Sequence, residues 1–166
     1  MKNRRKLALA ATLSLASALC ACGGGQAQAQ QNLPKGPENT HLRKLTDHQI
    51  AVRVGGKSFT VTLYDNPTAR DLLTRLPLTL KANNYPGYDE KVIRLPKPLS
   101  MEGAPPGDDP RIPEVGYYDP SRWIALYYGP IGYWPGKVPL GKIDASVDEL
   151  RAIPDNAPVT IEVLKN

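Results

Sequence analysis

The 166-residue chain has two cysteines, two histidines and one phenylalanine, and each shortage closes off a class of chemistry. Cys20 and Cys22 both stand near the N-terminus, so the body of the chain has no thiol for redox work, for a disulfide or for a thiolate metal site. His41 and His48 precede the first well-marked strand and no Gly-x-Ser-x-Gly elbow occurs, which leaves a hydrolytic triad without its base or its nucleophile. Asp108 and Asp109 lie among prolines and a glycine with no third spaced ligand; they read as a solvated turn, and no metal is expected. Gly23 to Gly25 precede no helix, so no phosphate cradle is expected and no cofactor is implied. Basic residues form no dense run in the body of the chain, which argues against a nucleic-acid partner.

The N-terminus carries what the body lacks. Lys2, Arg4, Arg5 and Lys6 precede an apolar run from Leu7 to Leu19, too short to span a bilayer and laid out as a secretory signal. Leu19-Cys20-Ala21-Cys22 resembles a bacterial lipobox, with cleavage after Ala21 and a lipid on Cys22; the alternative is an ordinary signal cut after Ala27 or Ala29. Removing residues 1–21 takes four basic residues and no acidic one, so 21 Lys and Arg become 17 against 16 Asp and Glu. The net charge falls from +5 to about +1. Residues 22–48, rich in Gly, Gln, Ala and Pro at their start, are read as a flexible tether. Gly23 after the lipid site, rather than Asp, points to the periplasmic face of an outer membrane in a Gram-negative cell, with the lipid on Cys22 as the membrane contact.

Residues 49–166 are expected to form one domain, enough chain for one core. Ile50, Val52 and Val54 alternate with polar or small residues, Gly55-Gly56 makes a tight hairpin, and Phe59, Val61 and Leu63 continue the two-residue period. The period then changes: Asn66 is an N-cap, Pro67 suits a first helical position, and Ala69, Leu72, Leu73 and Leu76 share a helical face that Pro77 ends. Residues 83–113 are broken by prolines and glycines, with one strand expected near Val92–Leu95. A strand over Trp123–Tyr128, a capping box at Ser146 and Glu149, and a closing alternation through Val159, Ile161 and Val163 complete the pattern. Short strands with only two short α-helices predict a mainly β fold closed into a small barrel.

The stretch GKSFTVTLYDNPTARDLLTRLPLTL over residues 56–80, followed later by WIALYY, PLGKID, SVDELRAI and VTIEVL, resembles the cyclophilin-like fold proteins of bacteria, which are distinct from true cyclophilins. The resemblance spans Ile50 to Leu164 and implies a cyclophilin-like β-barrel. It raises prolyl isomerisation as an activity, but the Phe-His-Arg, Gln-Gly-Gly-Asp and Phe-Phe-Ile segments of true cyclophilins are missing. Arg94 is the nearest strand arginine to the one such an enzyme needs. Seven aromatic residues fall between Tyr117 and Trp134; Tyr127, Tyr128 and Trp123 are assigned to strand faces, and Tyr133 and Trp134 to a turn-like surface. Arg94, Tyr133 and Trp134 are therefore the candidate ligand contacts, for a peptide or small molecule, and no catalytic residue is assigned. The expected role is an envelope-tethered binding or accessory module, with a divergent prolyl isomerase or a scaffold subunit as alternatives.

Overall fold

The computed structural model describes residues 35–36 and 39–164; the signal segment, Cys22 and the first part of the tether lie outside them. Eight strands close into an antiparallel barrel: β1 (Leu45–Val54), β2 (Lys57–Tyr64), β3 (Leu78–Asn84), β4 (Glu90–Arg94), β6 (Glu114–Tyr118), β7 (Trp123–Tyr127), β9 (Lys137–Asp144) and β10 (Ala157–Val163). Around the barrel they run β1-β10-β3-β4-β7-β6-β9-β2 and return to β1. The remaining strands, β5 (Gly107–Asp108) and β8 (Trp134–Pro135), form a separate two-stranded ribbon. Closure leaves the barrel strands without a free edge, as the many short strands predict.

Local signals act as expected in the first half. Gly55 and Gly56 take φ of 58° and 78°, the left-handed pair that a two-residue hairpin needs. Phe59, Val61 and Leu63 face a core shared with Ile50, Val52, Ile93, Leu126, Leu140 and Ile161. Helix α1 (Pro67–Thr74) starts where the Asn66 side chain accepts a hydrogen bond from Ala69 N at 2.9 Å. Asn66 Nδ2 also donates to the Pro139 carbonyl, so the cap ties α1 to β9. Helix α2 (Val147–Arg151) has the full capping box, Ser146 accepting from Glu149 N and Glu149 from Ser146 N. Because β2 and β9 are antiparallel neighbours, the helices that follow them stand at opposite rims, each sending one leucine, Leu72 or Leu150, into the core.

Two segments depart from expectation. Residues 40–48, read as the end of a tether, are a 3-10 turn (Thr40–Arg43) and the first part of β1. Arg43 is buried there, and Leu45 pairs with Tyr64. Asp108, read as part of a solvated turn, is 1% exposed in β5. The reason is one ion cluster. Arg43 donates to Glu114 at 2.7 and 2.8 Å and to Asp108 at 2.6 and 3.2 Å. Tyr64 Oη and Arg111 N also donate to Glu114, and Asn39 Nδ2 to Asp108. The guanidinium fork satisfies two carboxylates at once, and the carboxylates raise its pKa in spite of burial.

Candidate functional site

Strand alternation sends one set of side chains inward and the other onto the outer face. On β7, Ile124 and Leu126 enter the core, while Trp123, Ala125 and Tyr127 belong to a second cluster outside it. Both faces of this strand are thus buried, where one core face was expected. The register aligns the outer residues in rows across four strands. Arg94, Trp123, Tyr118 and Lys137 make one row, from β4 through β7 and β6 to β9. Val92, Ala125, Gly116 and Pro139 make the next, and Glu90, Tyr127 and Glu114 the third. The middle row is small because the flanking rows are large: a Cβ at Gly116 would meet the Tyr127 ring at 2.7 Å.

The turn between β3 and β4 brings Tyr85 and Tyr88 over this face, and the β5–β8 ribbon brings Trp134. The rings then close a circuit. Tyr85 lies 4.9 Å from Trp123, Trp123 5.2 Å from Tyr118, Tyr118 6.1 Å from Trp134, Trp134 5.4 Å from Tyr88, and Tyr88 5.2 Å from Tyr85, centroid to centroid. These are the separations of tilted, edge-on and stacked pairs that attract one another. Within the corral is a cavity of about 10 Å³ lined by Tyr85, Glu90, Tyr118, Trp123, Trp134 and Lys137. It has room for about one water molecule, or for the polar tip of something larger if the rings part.

The corral is costly to build. Glu90 and Lys137 are 2% and 3% exposed, yet no hydrogen bond joins them. Glu90 Oε2, Lys137 Nζ, Trp123 Nε1 and the Tyr127 hydroxyl are, among the described residues, the buried side-chain polar atoms without a hydrogen-bond partner. Three of the four residues line the cavity, and the fourth lies beneath Lys137, whose Nζ is 4.9 Å from the Tyr127 ring centre and 5.4 Å from that of Trp134. Buried polar groups are nearly always paired, so four such atoms in one patch single it out as the candidate site. Burial raises the Glu90 pKa against the pull of Lys137, and lowers that of Lys137 to about 8 against the pull of Glu90, Asp108 and Asp109. Burial also holds the Tyr127 hydroxyl well above its usual range. Lys91 provides the contrast: it is equally buried, but its Nζ donates to Asn84 Oδ1 and to the Ile153 carbonyl, both at 2.6 Å.

Of the residues singled out from the sequence, Trp134 lines the cavity. Arg94 is exposed and lies 4.9 Å from the Trp123 ring centre, at the end of the same row. Tyr133 does not line the cavity; its ring packs against Gly36 and Gly107 instead. Sequence reasoning missed Tyr85, Glu90, Tyr118 and Lys137, and it placed Trp123 on a strand face without a role. The sequence profile of the cyclophilin-like family matches residues 52–162. The chain belongs to the cyclophilin-like family. As a solved structure of similar fold, the hypothetical protein AF2241 from Archaeoglobus fulgidus superposes with a TM-score of 0.53 at 21% identity, covering 72% of this chain and 96% of that one. No curated protein matches the chain. Within this cyclophilin-like domain, the matched segment carries every residue of the corral and leaves out Arg43.

Proposed function

We propose that this cyclophilin-like domain is a ligand-binding module whose ligand enters the aromatic corral on the outer face of the barrel. The carrying observation is the set of four buried, unpartnered polar atoms gathered at one aromatic-walled cavity. Glu90 offers an acceptor, Trp123 and Lys137 offer donors, and the rings offer flat apolar walls, a set that suits a small uncharged molecule with a polar tip. A free cation is disfavoured, because the Lys137 ammonium already occupies the position over the Tyr127 and Trp134 rings.

In this reading the module works at the bacterial cell envelope. It is held to a membrane by the lipid on Cys22, at the periplasmic face of the outer membrane in a Gram-negative cell. The support is the N-terminal sequence alone: a basic start, an apolar run and a lipobox-like step. A membrane-fraction assay of wild type against Cys22→Ser tests it; release of the variant to the soluble fraction is expected.

The binding claim has a built-in reporter, since the two tryptophans of the chain, Trp123 and Trp134, are both corral walls. Titration of the full-length protein with benzamide, as an uncharged planar probe with a donor and an acceptor, is expected to change intrinsic fluorescence saturably. The change is expected to disappear in Glu90→Gln/Lys137→Met. A probe-independent signal, or an equal response in that double variant, would remove the corral as the binding site.

A further inference from the structure

Lys137 differs from the other lysine buried among the described residues, Lys91, in having no hydrogen-bond acceptor in the protein. Its Nζ sits between the Tyr127 and Trp134 rings at the wall of a cavity shared with the Glu90 carboxyl group. An amine held this way is a nucleophile whenever its proton can leave, and Glu90, which lines the same cavity without a direct hydrogen bond to Nζ, is the base that a water in the cavity would connect to it. Resting on the binding reading above, we propose that Lys137 captures a small uncharged aldehyde or ketone in the corral as a reversible imine, with Glu90 carrying the proton.

The step balances within the pair. Through one water in the cavity, the Lys137 ammonium passes a proton to the Glu90 carboxylate, leaving a neutral amine and a neutral acid at the same cavity. The nitrogen lone pair attacks the carbonyl carbon; the C–N bond forms as the C=O π electrons move to oxygen, and a proton passes from nitrogen to that oxygen to give the carbinolamine. Glu90 then protonates the hydroxyl, the C–O bond breaks, and water leaves. What remains is an iminium beside the Glu90 carboxylate, with the same charges as the starting pair. The cation therefore stays where the aromatic faces already held one.

The surroundings support the proton movement. Burial acts on both partners, pushing Lys137 towards its neutral amine and Glu90 towards its neutral acid. The titratable groups facing Lys137 are Glu90 on β4, Tyr127 on β7, Tyr118 on β6 and Asp108 on β5, with Asp109 beyond it. The carboxylates among them repel an anionic carbonyl compound, which is why the proposed ligand is uncharged. Its size is limited by the cavity, so the carbonyl end enters while the remainder rests on the rings.

Treatment of the full-length protein with propanal and sodium cyanoborohydride at pH 7, followed by peptide mapping, tests the step. At that pH a lysine of pKa about 8 has a neutral fraction some two orders of magnitude above that of an ordinary lysine. The expected result is N-propyl Lys137 appearing before any modification of the exposed Lys57 and Lys97. Lys137→Arg, confirmed as folded by its thermal melt, is expected to remove that product, and Glu90→Gln to slow it at least tenfold. Early modification of exposed lysines with Lys137 untouched would overturn the proposal. If benzamide still gives its saturable fluorescence change in that case, the imine falls and the binding site stands; loss of both signals removes both.

Discussion

Replacing Arg43 by alanine should destabilise the domain far more than a residue in a tether could. The substitution deletes four charge-assisted hydrogen bonds of 2.6 to 3.2 Å and leaves Asp108 and Glu114 facing each other in a buried site. Removing one partner from a buried pair costs about 3–5 kcal/mol. Donors from Tyr64, Arg111 N and Asn39 remain to soften the loss, which favours the lower half, about 3–4 kcal/mol. For a domain of this size that corresponds to a drop of about 12–16 °C in Tm. The assay is thermal unfolding by circular dichroism at pH 7, with Arg43→Met/Asp108→Asn/Glu114→Gln beside it. The triple variant should recover most of the loss, because the uncompensated charges go together. A fall of less than about 1 kcal/mol for Arg43→Ala would mean that residues 39–43 are not part of the cooperative unit. Because Asp108 pairs in the ribbon with Trp134, the variant should also weaken the benzamide fluorescence response.

Neutralising the corral pair should separate stability from binding: Glu90→Gln/Lys137→Met removes two buried charges and is expected to be no less stable than wild type in urea unfolding at pH 7, while losing the benzamide response. Stability should also rise with pH between about pH 8, the folded-state value for Lys137, and about pH 10. In that window the lysine of the unfolded chain, which titrates near its ordinary value of 10.5, still binds a proton that the folded one has released. The gain is at most about 3 kcal/mol and should vanish in Lys137→Met, measured as the difference between wild-type and variant urea midpoints. Gly116→Ala should cost about 1–3 kcal/mol by driving a Cβ into the buried Tyr127 ring, with a red-shifted tryptophan emission as the corral loosens.

The barrel was legible because its signals are local. A two-residue period, a Gly-Gly turn, an Asn-Pro helix start and a Ser-x-x-Glu box each need only neighbouring residues, and the structure realises each of them. The corral was not legible in that way. Its walls come from the β3–β4 turn, four barrel strands and a two-stranded ribbon, and they meet only once the strand order β4-β7-β6-β9 is known. Trp134 was found because a turn-like segment presents it, whereas Tyr133 beside it turns to the other side. Glu90 and Lys137 each stand at the first position of a strand, where a charged residue reads as a solvated end. Arg43 was missed for the opposite reason: its partners Asp108 and Glu114 lie more than 60 residues away, and a polar segment before a barrel resembles a linker.

The two lysines buried among the described residues differ on physical grounds. Lys91 and Lys137 are similarly excluded from solvent, and burial lowers the pKa of both. Lys91 donates to a side-chain oxygen and a backbone carbonyl, so replacing it should cost stability and nothing else. Lys137 has aromatic faces and an unjoined carboxyl group around it. Packing alone would favour an apolar residue there, since an unpaired buried ammonium opposes folding. The strain is local, and it coincides with the one aromatic circuit on the outer face among the described residues. A barrel closed on a continuous apolar core has stability to set against such a cost. The interior of this cyclophilin-like domain therefore serves as the support, and the outer face between the β3–β4 turn and the ribbon is where its chemistry should be sought.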